Sequence, residues 1–440
     1  MLKDAQGNPV TGATADSVAH YDTALRAFNL AYGNPMGGFD AAIAAAPDFA
    51  MARLAKAWLF FMSRDPVMIG RGRETMLTAT ALPMNERERA HYAALDLATS
   101  RRRVSAVGAL DRLLMRFPFD ILAHQIALLS DLALGRSRWM RDRVARALPQ
   151  WSKDRPGYAP LLGFHAFGLE ENGGYAQAED EGRTVAEMEP HSYFAHHTVT
   201  HVMEMTGRPE DGIGWMAARE ALWSGTQNAN RDHIWWHKAL YHLDIAQFDA
   251  ALAIYDGPFL SAEKPLANSL THASALLWRL DTLGVDVAER WKALLQRWAG
   301  HADGKTLAFA DLHAVMAELR SGQEAAAERR LAAMRESAAG SDEGAPVYRE
   351  AGVPYAEGLI AFHRGRYAEA LEHMLPARFD LFRIGGSHAQ RDVFDWTLTE
   401  AAVRGGIADV AVSLAHERLT LKPRSFINRR FLRGAEGIGG

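Results

Sequence analysis

Histidine is the residue type to start from. The 440-residue chain carries 18 histidines and no cysteine. His191, His196, His197, His201, His233, His237 and His242 crowd into one short stretch of it. Within that stretch, His197-Thr198-Val199-Thr200-His201-Val202-Met203-Glu204 sets His, His and Glu at i, i+4 and i+7, positions that share one face of a helix. His233-Ile234-Trp235-Trp236-His237 repeats the i, i+4 pair about one repeat length further on. Two imidazoles a turn apart can grip one ion, and a carboxylate on the next turn supplies a ligand or a general base. The spacing makes His197, His201, His233 and His237 candidate ligands of a divalent metal, with zinc, iron, nickel and manganese all suited to a nitrogen and carboxylate set. It makes Glu204 a candidate catalytic group. The pattern is not His-Glu-x-x-His, so the metalloprotease motif is absent. Two other readings compete for the same residues: a metal-free polar pocket with Trp236 on its wall, and hydrogen-bonded packing at a helix seam.

Two further constellations carry chemistry. Gly385-Gly386-Ser387-His388-Ala389-Gln390-Arg391-Asp392 places Ser387 and Gln390 at capping-box spacing after a pair of helix-ending glycines. The exposed N–H groups of such a helix start, with Arg391 beside them, suit an anion or developing negative charge; a plain cap with an Arg391–Asp392 ion pair is the structural alternative. Gln390, Arg391 and Asp392 are accordingly candidate ligand-binding residues, and Arg391 a candidate catalytic one. Phe309-Ala310-Asp311-Leu312-His313 sets a carboxylate two residues from an imidazole, which do not face each other on a helix. Asp311 and His313 are kept as candidates for the same pocket. The segment 300–306 falls one residue short of a phosphate-binding loop and no strand precedes it, so a turn is expected. There is no Gly-x-Ser-x-Gly.

The elements that must position these residues read as helices. An aromatic followed three residues later by Ala, with a helix running on toward Pro, recurs along the chain. Gly173-Gly174-Tyr175 leads to Ala178 and Pro190; Gln247-Phe248 leads to Ala251 and Pro258 without the glycine; Gly365-Arg366-Tyr367 leads to Ala370 and Pro376. Looser copies run from Ala106 to Pro118 and from Gly406 to Pro423. A glycine in the left-handed region ends the first helix, the aromatic fills the wedge between two helices, and the alanine lets the second approach closely. That is the tetratricopeptide plan of roughly 34 residues per helix pair. Apolar residues at three- and four-residue spacing mark further helices over 87–99, 120–134, 286–298 and 322–334. The expected fold is all-α, a TPR-like α-α superhelix (an α-solenoid) of six or seven degenerate helix pairs. It occupies 21–431, after an N-terminal extension over 1–20 and before a flexible tail over 432–440.

Composition bounds the rest. Hydrophobic residues make up 48% and charged residues 23%, a globular balance. The net charge of −4 offers no basic field for nucleic acid or an anionic membrane. Without cysteine there is no disulfide, zinc ribbon, iron–sulfur cluster or thiol nucleophile. The first residues lack the pattern of a signal peptide, and no apolar run approaches the ~18 residues of a membrane span. A cytoplasmic protein is expected.

The chain resembles the tetratricopeptide repeat protein 38 family from about Tyr21 to about Phe431. The most specific pieces are His197-Thr198-Val199-Thr200-His201 with Glu204-Met205, His233-Ile234-Trp235-Trp236-His237 with Ala239-Leu240-Tyr241, and Gly385-Gly386-Ser387 with Ala389 to Phe394. Asp311, His313 and Pro376 also fall on the family pattern. The family has asparagine where His388 stands and histidine where Met203 stands. The resemblance implies a curved, all-helical protein and no particular reaction. The functional expectation is a repeat protein that binds a small molecule or peptide in a His/Trp-rich concave pocket. A metal-dependent hydrolase or lyase using that pocket, and a protein-interaction scaffold, are the alternatives.

Overall fold

The computed structural model describes residues 2–262 and 265–438. Among them the secondary structure is helical, with isolated bridges in place of strands. Consecutive helices joined by short turns pack on each other, as in Tyr158–Glu170 with Tyr175–Met188, or Val353–His363 with Tyr367–Ala377. The chain groups into two compact units. One comprises 1–199 and 221–231, the other 200–220 and 232–440.

Backbone turns give the repeat its register. Ala31, Arg64, Arg101, Gly135, Gly173, Gly207, Ala246, Gly284, Gly322, Gly365 and Gly406 all take positive φ, and most stand between the two helices of a pair. Gly365, at φ 72, follows Val353–His363 and leads into Tyr367–Ala377. Ala246 does the same at φ 61, just before Phe248–Asp256, where the sequence pattern lacks its glycine. The repeat is thus more regular in the backbone than in the residues.

Within each pair the two helices differ in burial. Ala308–Arg320 is buried on every side from Ala308 to Leu319, whereas Glu324–Ala338 buries one stripe of Ala327, Leu331, Met334 and Ser337. Tyr175–Met188 likewise buries Ala178, Gly182, Val185 and Ala186 and turns its charged residues outward. An all-round apolar helix needs cover on all faces, and an amphipathic partner supplies it on one. Each fully buried Leu or Met of such a stripe contributes about 1.5–3 kcal/mol.

In the first unit, Thr14 caps Ala15–Leu30, so the first repeat helix begins inside the 1–20 extension. The residues before it are packed structure: Asp4 lies buried against Arg87 at 3.4 Å, and the Asn8 amide donates to Phe119 O. Asp120 there accepts from Arg87 (2.9 Å), from the His91 ring (2.8 Å) and from the Ala123 N–H (2.9 Å).

In the second unit, Ala267–Thr282 packs directly against His388–Arg404, although several helices intervene in sequence. Two tryptophans are exchanged between them. Trp278 donates to Thr397 Oγ1 at 2.9 Å, and Trp396 donates to Thr282 Oγ1 at 3.0 Å. Phe426–Glu436 closes this unit, burying Ile427, Phe431 and Ala435. The tail expected to be flexible over 432–440 is therefore helical to Glu436, and Gly439 and Gly440 lie outside the described residues. Among the described residues no helix is long and apolar enough to cross a membrane.

Candidate metal centre

The site residues lie in the second unit, on parts of three helices. Tyr193–Met205 carries His201 and Glu204, Arg231–Asp244 carries His233, Trp236 and His237, and Ala267–Thr282 carries His272. The i, i+4 and i, i+3 spacings act as the sequence suggests. His201 and Glu204 both reach the face that meets Arg231–Asp244, and His233 and His237 both turn toward them. His201, His233 and His237 each offer a ring nitrogen, and these lie within 4.8 Å of one another. All three residues are buried. His197 stands one turn before His201 on the same helix but belongs to the first unit, where its ring stacks on Tyr193 at 4.8 Å and meets Phe167 edge-on.

Hydrogen bonds link these rings to one another and to a helix cap. The Ser387 backbone N–H donates to Gln390 Oε1 at 2.8 Å, so the other end of that amide is the NH2 group. Gln390 Nε2 donates to His272 Nε2 at 2.8 Å, so that nitrogen is an acceptor. His233 Nδ1 also lies 2.8 Å from His272 Nε2.

The same reasoning applies from the other side. Burial alone would raise the Glu204 carboxyl, but Lys422 and His237 outweigh it and hold the group at about 2. The carboxylate is ionised and accepts from His237 Nδ1 at 2.5 Å. In neutral imidazole one nitrogen carries the proton, so Nε2 of His237 is an acceptor. It lies 3.2 Å from Nε2 of His233. Burial brings the His237 imidazole down to about 4, with His201 adding to the fall and Glu204 opposing it. The two Nε2 atoms meet beside the ring of His201, whose centroid is 4.4 Å from that of His237.

Charge around the site is balanced in pairs. Lys422 lies 3.5 Å from Glu204 and 3.2 Å from Asp244. Asp392 is held by Arg418 at 2.9 Å and Arg279 at 3.2 Å, which keep its carboxyl well below the usual range. Arg391, which the sequence offered either to an anion or to a pair with Asp392, donates to Gly386 O and contacts the His388 ring. Ser387 and Gln390 do form the capping box. Trp236 is fully buried, stacked on His233 at 5.5 Å and packed against His272 and Arg279. Its indole N–H has no hydrogen-bond partner among the described residues. By contrast Trp58, Trp151, Trp278, Trp291, Trp298 and Trp396 all donate.

Asp311 and His313 are engaged in local structure. Asp311 accepts from the Gly304 N–H (2.7 Å) and the Tyr348 hydroxyl (2.8 Å), tying down the 300–306 segment, which is a turn closed by Asp303. Burial pushes the Asp311 carboxyl up to about 6 against the pull of Arg330. His313 donates from Nδ1 to Phe309 O at 2.7 Å. The sequence reading missed His272, Lys422, Arg279 and Arg418, which belong to no motif; His272 is recognisable only as another buried histidine on an all-buried helix. No protein-family model matches the chain.

Proposed function

We propose that the second unit is a metal-dependent module that binds a small polar molecule, with a divalent transition metal held by His201, His233 and His237. The observation that supports it is the buried cluster of ring nitrogens of His201, His233 and His237 within 4.8 Å of one another, with Nε2 of His233 and Nε2 of His237 3.2 Å apart. Two ligands of a tetrahedral ion with bonds of about 2.0–2.1 Å stand about 3.3 Å apart. An ion between the rings would engage both nitrogens at their natural distance.

Outer groups fit this reading. Histidine ligands characteristically donate their second ring nitrogen to a carboxylate or another acceptor. Glu204 serves His237 in this way, and His272 serves His233. Glu204 is therefore a positioning residue, directed at the outer nitrogen of a ligand. Three imidazoles are the set of catalytic zinc sites that keep a position for water or substrate. That set favours the second reading, hydrolase or lyase chemistry on a metal-bound water. The buried N–H of Trp236 lacks an acceptor, which favours a ligand that brings an oxygen. For lineage we propose the tetratricopeptide repeat protein 38 family, on the residues quoted above.

The test is metal content and affinity of the full chain purified through a tag without histidine. About one zinc or cobalt ion per chain is expected, lost in His233→Ala and His237→Ala. Wild-type protein that neither contains nor takes up zinc or cobalt at micromolar concentration overturns the reading.

A further inference from the structure

We infer that the first unit carries a second ligand site, a cleft for a short aliphatic carboxylate whose head group is taken by Arg64. This site does not depend on the metal reading above. Trp58, Phe61, Ala106 and Leu110 line the cleft, and Arg64 and Arg103 share its wall. It holds about 420 Å³ of empty space with its mouth included. Trp58 and Leu110 are fully buried and Phe61 nearly so. Walls of this kind take hydrocarbon, and a few polar groups in such a cleft orient what enters.

The charge at Arg64 marks the cleft as a site. Its guanidinium donates to Leu129 O at 3.0 Å and meets no carboxylate among the described residues. The ionisable groups that act on it are Arg103, a second cation, and the Tyr193 phenol, which burial pushes up and keeps neutral. Burial, with Arg103 adding to the fall, brings the Arg64 guanidinium down to about 10. As a residue Arg64 is only half-buried, so the group is desolvated and still within reach of a solute. Other guanidinium groups buried in this unit are matched: Arg87 faces Asp4 and Asp120, and Arg143 faces Asp111 and Asp131. A desolvated cation without a counter-charge is costly, so the group missing here is an anion. The planar fork of a guanidinium matches a carboxylate. Apolar walls beside that fork call for an alkyl chain behind the carboxylate.

Arg64 also stands in the left-handed region at φ 60, a conformation that glycine adopts without strain. Arg64→Gly therefore removes the charge and eases the turn together. The test titrates straight-chain carboxylates from acetate to octanoate into the full chain by calorimetry. Saturable binding is expected, tightening roughly fourfold per methylene until the cleft is full. Hexanol should bind at least about tenfold more weakly than hexanoate, and Arg64→Gly and Arg64→Met should each lose at least about tenfold in hexanoate affinity. Without ligand, Arg64→Gly should melt no lower than wild type. Wild type that binds no member of the series overturns the inference, as does either variant that keeps wild-type affinity for hexanoate. A glycine variant that melts lower overturns it too, by showing that the guanidinium is already satisfied as a brace on Leu129 O near the end of Ile121–Ala133.

Discussion

Replacing Glu204 by Gln is the most informative single change to the centre, because it removes charge and little else. The glutamine is isosteric and keeps an oxygen that can accept from His237 Nδ1, now 2.5 Å from the carboxylate. The proton stays where it is and Nε2 of His237 stays bare. What disappears is the negative charge that makes His237 a stronger ligand. A hydrogen bond to a charged partner is about twice as strong as one between neutral groups, a difference of roughly 1–1.5 kcal/mol. Outer-shell substitutions at metal sites generally cost ten- to a hundredfold in affinity, about 1.4–2.7 kcal/mol, which meets the upper end of that figure. Lys422 loses its 3.5 Å neighbour but keeps Asp244 at 3.2 Å, so no buried cation is stranded and the metal-free fold should lose little. The assay is cobalt and zinc affinity by competition, with thermal unfolding of metal-free protein as the control. The cobalt absorption bands should keep their positions while affinity drops, because the substituted group lies outside the coordination sphere. Unchanged affinity refutes the orienting role. Shifted bands refute it too, by placing residue 204 on the ion.

Two further outcomes follow from the scaffold and its buried charge. Ala246→Gly should stabilise the chain by about 1 kcal/mol, because alanine in the left-handed region is strained and glycine is not. Gly365→Ala, at a turn where an added methyl meets open space, should cost about as much, and melting curves that move in the opposite directions refute the repeat register drawn from these turns. Asp311 supplies a pH dependence: its carboxyl sits at about 6 in the fold against an ordinary 3.8. The folded chain thus holds this proton more tightly than the unfolded one, so the contribution to stability falls as pH rises from about 4 to about 6, by roughly 3 kcal/mol, and is flat above. The stability of wild type minus that of Asp311→Asn, by urea unfolding across pH 4–8, should trace this fall; parallel profiles refute it.

The readable and unreadable parts of this chain divide by the range over which the physics acts. Helix spacing is local, so the pairing of His201 with Glu204 and of His233 with His237 is legible in sequence, as is the Ser387–Gln390 box. The helix-pair plan is legible where glycine takes the left-handed turn, at Gly173 and Gly365, is carried by Phe248 and Ala251 alone where Ala246 takes it, and is hidden where Ala31 or Arg64 takes it. A strain of about 1 kcal/mol at one turn is small beside the burial of a whole inner helix, so the backbone keeps its register after the residue signal has gone. What no local rule supplies is the partner of each ring. His272 reads as one more buried histidine until Ala267–Thr282 is packed on His388–Arg404, and only then does Gln390 acquire a ring to donate to. The chemistry of the centre depends on that packing more than on the histidine spacing that first draws attention to it. Spacing can bring imidazoles together, but it is packing that sets Glu204 against His237, His272 against His233 and Gln390 against His272.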